Sequence, residues 1–252
     1  MKALLRKWVI WANERFASRP SRAHIFESLN LLFEEIEARP AGKLGIVIPF
    51  EWHDGKFIIF SDQHKGAGDG ADDFVAAVPN YLAALKYYND HNYTYINLGD
   101  AEELWENTLT PVKKFHEASF AAERQFVERN AFVKVLGNHD LFWGNEPLAW
   151  WQVKDIFKTD LKVYEGVVLA TSMKGRQLLI RCTHGHQGDL NSDGNWFSKF
   201  FVSKIWAPFQ SWLGVNPNTP AYDAEEKTRH NQIMYEWAAG KSGSILITGH
   251  TH

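Results

Sequence analysis

Ala131-Phe132-Val133-Lys134-Val135-Leu136-Gly137-Asn138-His139-Asp140 is the stretch on which the fold turns. A largely apolar, β-branched run stops abruptly at a glycine and gives way to three polar side chains. Such a run suits a buried strand, and the stop places Asn138, His139 and Asp140 at its C-terminal end. In an open α/β sheet that rim is where ligands bind.

The pattern recurs along the chain. Phe57–Ser61 runs into Asp62-Gln63-His64, and Tyr93–Leu98 into Gly99-Asp100. Leu178–Thr183 runs into His184-Gly185-His186, and Ser244–Thr248 into Gly249-His250-Thr251-His252. An Asp-x-His would arise in roughly half of random arrangements of this composition, so alone it decides nothing. A Gly-His-x-His would arise in roughly three per hundred. The order carries the weight, because every fragment sits at the end of an expected strand and ends in residue types that ligate metals.

Between these strands the sequence reads as helices. Ser21 is placed to cap a helix running to Ala38, with Ile25, Leu29, Leu32, Phe33 and Ile36 on one face. Leu44–Phe50 and Lys56–Ser61 read as paired strands across His53-Asp54-Gly55. Helices are expected over Phe74–Asp90, with Pro79 an alternative start, and over Pro111–Arg129. This strand–helix alternation argues for βαβ crossovers and a largely parallel sheet. Further on, Pro147–Lys158 is short and helical. Leu161–Ala170 and Gln177–Thr183 read as neighbouring strands joined at Lys174-Gly175, and a last helix spans Tyr222–Ala239. The expected organisation is an N-terminal helical extension over 1–42 and one domain over 43–252, with an aromatic helical insert at about 195–213.

With 252 residues, 45% of them hydrophobic, the chain can bury one sizeable core. A formal charge of −3 gives no general attraction to nucleic acid, and no Lys/Arg stripe with stacking aromatics is evident. Cys182 is the only cysteine, which excludes an intrachain disulfide and a thiolate-built zinc site. No apolar run reaches the roughly 18 residues of a membrane span, and a cytoplasmic location is expected. Peripheral membrane contact has two candidate carriers. Residues 1–19 place Leu4, Leu5, Trp8, Trp11 and Ala12 at helical spacing among basic residues, and residues 195–213 carry Trp196, Phe197, Phe200, Phe201 and Trp206. Both also fit helices packed on the body of the protein. The oligomeric state is left open.

Together, Asp62-x-His64, Gly99-Asp100, Gly137-Asn138-His139-Asp140, His184 and Gly249-His250-Thr251-His252 resemble the five-block signature of the calcineurin-like metallophosphoesterases. The resemblance implies a four-layer α/β/β/α sandwich of two mixed sheets flanked by helices. It implies two divalent metals, one held by Asp62, His64 and His252, the other by Asn138, His184 and His250, with Asp100 bridging. Imidazole with carboxylate suits manganese, the first expectation, and also iron or zinc. The activity implied is hydrolysis of a phosphoester or pyrophosphate bond, with a metal-bridging hydroxide as nucleophile. His139 resembles the family's non-ligand histidine, which stabilises the transition state or protonates the leaving oxygen, and Asp140 is expected to fix its tautomer.

Several points stay open at this level. His184 is preferred to His186 as ligand because it directly follows the strand, leaving His186 and Asp189 as substrate-facing or structural groups. Glu102, Glu103 and Glu106 read as a solvated acidic face. Leu98–Trp105 is loosely similar to the second block of UDP-2,3-diacylglucosamine pyrophosphatases, with Glu103 where those continue in Asp-x-x-Asp fashion; this points to a phosphorylated small-molecule or lipid-like substrate. Members of the superfamily continue beyond Gly-His-x-His with further strands, so a chain ending at His252 is expected to be a fragment. The rival functions are a metal-binding interaction module whose catalysis has lapsed and a nuclease-type phosphodiesterase.

Overall fold

A computed structural model of the chain describes residues 21–188 and 224–250, which fall into two compact units. One unit comprises Met1–Leu31 and His186–Lys241, the other Leu32–Gly185 and Ser242–His250. The expected helix at 1–19, the aromatic insert at 195–213, Asp189 and His252 lie outside the described residues.

In the first unit, helix α1 (Arg22–Ala38) starts as its sequence demands, with the His24 amide donating to Ser21 Oγ at 3.2 Å. The part of α1 in this unit ends at Leu31. It is tied to a second helix, Ala224–Ala239, by an Arg22–Glu236 ion pair at 2.9 Å and by the Trp237 indole donating to Asn30 at 3.0 Å. His186, also in this unit, is buried.

The second unit holds two four-stranded sheets. The first sheet is parallel throughout, in the order β2 (Phe57–Phe60), β3 (Thr94–Leu98), β4 (Phe132–Val135) and β5 (Val163–Tyr164). Its crossovers are helical. A 3-10 turn over Asp73–Ala77 and α2 (Val78–Asp90) join β2 to β3; α3 (Leu109–Phe115) and α4 (Glu117–Glu128) join β3 to β4. The short α5 (Phe142–Asn145) and α6 (Ala149–Phe157) complete the set. Tyr81, Leu85, Phe120, Phe126, Val153 and Phe157 from these helices bury Tyr95 and Phe132 on the outer face of the sheet.

The second sheet is mixed, in the order β1 (Gly45–Pro49), β6 (Gly166–Met173), β7 (Arg176–Thr183) and β8 (Ser244–Thr248). β6 and β7 form an antiparallel hairpin whose turn puts Lys174 and Gly175 both at positive φ. On its outer face, a Cβ on Gly45 would fall 2.5 Å from Ile36 of α1. Between the sheets, Ile96, Leu98, Val133 and Val135 of one meet Val167, Leu169 and Cys182 of the other. Helix, sheet, sheet and helix therefore stack in layers around a shared apolar core.

Three local expectations need correction. Leu44–Phe50 and Lys56–Ser61 do not pair: β1 pairs β6, whereas β2 pairs β3. The turn between them carries the chain across the core, where Phe50 and Phe57 meet edge to face at 5.1 Å. Apolar runs flanking a turn look alike whether the strands lie side by side or face to face. The helix expected over Pro111–Arg129 breaks at His116, whose buried ring pairs through Nε2 with Asp72 at 2.8 Å. The run Leu161–Ala170 divides at Glu165, sending β5 to one sheet and β6 to the other.

Candidate metal centre

Loops at the C-terminal ends of β2, β3, β4, β7 and β8 carry Asp62 and His64, Asp100, Asn138–Asp140, His184 and His250 respectively. These chain segments converge at one end of the second unit. The Asp62 amide donates to Gly99 O at 3.1 Å and the His64 amide to Asp100 O at 2.9 Å, while the Gly249 amide donates to His184 O at 2.8 Å. The Asp62 carboxylate in turn accepts from the His250 amide at 3.0 Å.

Asp62, His64, Asp100 and His250 all adopt positive φ although none is glycine. Each such residue costs about 1–3 kcal/mol and persists only where its surroundings over-determine it. Glycine elsewhere permits the close approach: a Cβ on Gly137 would lie 2.2 Å from Asp100 Oδ1, and one on Gly249 2.5 Å from Asp62 Oδ2.

Asp100 is the hub. Its Oδ1 accepts from the His139 amide at 2.8 Å, and its Oδ2 lies 3.1 Å from His184 Nε2 and 3.8 Å from His64 Nε2. Among the described residues, His64, Asp100 and His139 bring ligand-type atoms within 4.8 Å of one another, and so do Asp100, His184 and His250. Asp100 is common to both groups. His184 is oriented from behind, with Nδ1 3.0 Å from Leu98 O. Donating there makes Nε2 the acceptor nitrogen of the neutral ring, yet two further acceptors, Asp100 Oδ2 and Asn138 Oδ1, each lie 3.1 Å from it. Either a proton or a cation must reconcile three electron-rich atoms. Imidazole, carboxylate and amide form a donor set that suits a divalent transition metal, so the residues present fit such an ion.

The metal-free electrostatics say the same. Burial opposes the Asp100 anion, but His184, then His139 and His64, hold its carboxyl well below the usual range. Burial would lower His184, and Asp100 instead raises it to about 9.

Of the acidic residues after Asp100, Glu106 is exposed as expected, but Glu102 and Glu103 do not belong to a solvated face. Glu103 is mostly buried, and its Oε2 accepts from His139 Nδ1 at 2.7 Å and from His64 Nδ1 at 3.0 Å. Burial opposes its anion, yet these two rings bring the carboxyl down to about 2. Burial likewise opposes the His139 cation, and Glu103 with Asp100 raises its pKa above the ordinary value. The Trp105 indole stacks on the His139 ring at 4.4 Å. Asp140, expected to orient that ring, does not touch it. Its carboxylate accepts from the Gly137 amide and, at 3.0 Å, from the Ala101 amide, so it braces two loops instead. Burial, opposed by Lys134, lifts its pKa to about 6.

Glu102 is fully buried between Lys134 at 2.8 Å and Lys65 at 3.2 Å, and also accepts from the Trp143 indole at 2.8 Å. Burial opposes its anion, and the two lysines hold it at about 2. One signal in the sequence pointed here: Lys134 interrupts an apolar strand, and a lysine is fully buried only when paired. The spacing of Asp100 and Glu103 pointed to the other.

Residues 55–252, well over half of the chain, match the model of a protein family described as calcineurin-like phosphoesterase. No curated protein matches the chain.

Proposed function

From the chain's membership of the calcineurin-like phosphoesterase family, which makes it a metal-dependent phosphoester hydrolase, we propose that it hydrolyses a phosphoester or pyrophosphate bond over a pair of divalent cations. Asp62, His64 and His252 would hold one ion; Asn138, His184 and His250 the other, with Asp100 shared. The observation that carries this is the position of Asp100 in both ligand-type groups. Bound there, the cations would supply charge neutralisation for phosphoryl oxygens and acidify water at neutral pH. Manganese is the ion of first choice for this donor set, with iron or zinc as alternatives.

His139 is assigned to carry the proton given to the leaving oxygen as the P–O bond breaks. Glu103 fixes its tautomer by accepting from Nδ1, and so leaves Nε2 to face the reaction. The stacked Trp105 favours a cationic ring. Asp140 acts one step removed, by holding the Gly137 and Ala101 amides beneath the loops. Because Glu103 and Trp105 are set around His139, an active enzyme is favoured over a lapsed metal-binding module. A substrate with an apolar moiety remains the proposal drawn from the aromatic segment 195–213.

The test is metal analysis of the purified chain together with a panel of phosphomonoesters, phosphodiesters and nucleotide-diphosphate sugars. Turnover that depends on added Mn and fails in chelator is expected. A chain that takes up no transition metal would end the proposal.

A further inference from the structure

Beneath the metal centre lies a buried cluster of four ions that the chemistry does not use. Lys65 Nζ pairs with Glu123 at 2.6 Å and Glu102 at 3.2 Å, and Glu102 pairs with Lys134 at 2.8 Å; all four side chains are fully buried. Two lysines balance two glutamates, so the cluster is neutral. Tyr81 donates to Glu123 at 2.8 Å. For stability alone such a cluster has little merit, since apolar replacements of similar shape are usually as stable or more so.

Its placement in sequence is the telling feature. Lys65 is the residue after His64, and Glu102 lies between Asp100 and Glu103. Lys134 stands on β4, the strand that delivers Asn138, and Trp143, which donates to Glu102, follows Asp140 by three residues. The main chains are zipped at the same level: the Lys65 amide donates to Ala101 O at 3.0 Å, and the Glu103 amide to Lys65 O at 3.0 Å. In the Asp62–Lys65 and Asp100–Glu103 loops, residues of the centre thus alternate with residues of the cluster. Asp62, His64 and Asp100 keep their strained positive φ while bound into this frame.

We propose that Lys65, Glu102, Lys134 and Glu123 form a charge-neutral frame that sets the spacing of His64 against Asp100, and that this frame tunes the affinity of the cation assigned to His64 more than that of the other. The selectivity follows from connectivity. Lys65 adjoins His64, which is assigned to the first ion only, whereas His184 and His250 stand on loops after β7 and β8 and are held by Leu98, Asn138 and Asp62, so the four ions reach them only through the shared Asp100 and through β4. The inference rests on the two-cation function proposed above and names its positioning residues.

The test uses the full chain with Mn as the only probe. Glu102→Gln combined with Lys134→Met removes one charge of each sign while keeping the first side-chain length and shortening the second by one atom. Binding is read by equilibrium dialysis, and folding by thermal unfolding of the metal-free protein. The native chain is expected to bind two ions. The double variant should unfold near the native temperature and bind one ion about 10- to 100-fold more weakly, with a clearly smaller loss for the other. Should it not fold, Glu123→Gln is scored the same way. Native affinity for both ions, or equal weakening of both, overturns the inference. A native chain binding fewer than two ions overturns the underlying two-cation function instead.

Discussion

Replacing Glu103 with Gln tests how the centre handles its proton. Gln keeps the length and one acceptor oxygen but cannot hold the charge that Oε2 presents to both His139 and His64. The carboxyl sits at about 2 against an ordinary 4.5 despite being buried. At about 1.4 kcal/mol per pKa unit, its surroundings as a whole, burial included, favour the anion by about 3–4 kcal/mol. A single hydrogen bond to a charged group contributes about 1.5–3 kcal/mol, so kcat should fall about 10- to 150-fold where the imidazolium matters. The sign is fixed too. Glu103 raises the pKa of His139, so without it the ring loses its proton at lower pH and the alkaline decline of activity moves down. The assay compares kcat across pH for a p-nitrophenyl ester and an alkyl ester at saturating Mn. p-Nitrophenolate leaves without a proton and should feel the change little; an alkoxide should feel it fully. Equal losses on both esters, or an unmoved alkaline limb, would refute the role given to His139.

Other outcomes follow from the same geometry. His139→Ala should abolish turnover of the alkyl ester while leaving bound metal nearly unchanged; loss of metal would make His139 a ligand, as its proximity to His64 and Asp100 permits. In chelator, the protonated His184 held at about 9 contributes stability that is complete below its ordinary 6.5 and lost as pH rises through 9. Thermal unfolding of the metal-free chain should therefore weaken over that window, and a flat profile would contradict the His184–Asp100 coupling. Gly137→Ala would set a Cβ 2.2 Å from Asp100 Oδ1, and should displace that carboxylate, cost about 1–3 kcal/mol and lower metal content. Full native metal content in this variant would show that the loop can yield.

Much of the centre is legible in the sequence. Asp62, Asp100, Asn138, His184 and His250 each follow an apolar run that stops abruptly, at or beside a glycine in every case but Asp62, and periodicity with turn chemistry is enough to put them on strand ends. The parallel sheet followed from the alternation of strands and helices, and the cap at Ser21 from its own side chain. These are local properties, written in consecutive residues. They held because the chain's local preferences and its global fold agree.

What lay beyond the sequence were the pairings between segments far apart in it. Nothing local distinguishes a glutamate that meets water from Glu102, closed between Lys65 and Lys134, or from Glu103 beneath two imidazoles. Adjacency in sequence offers Asp140 as the partner of His139, yet a carboxylate one residue away on a tight loop points back at the amides of Gly137 and Ala101. Likewise the strands on either side of Gly55 joined different sheets, because backbone hydrogen-bond partners are chosen by register across the core. Composition and spacing determined which residues reach the rim of the sheets. Only the packing of strand against strand, with its desolvation of every unpaired charge, decided which of them touch.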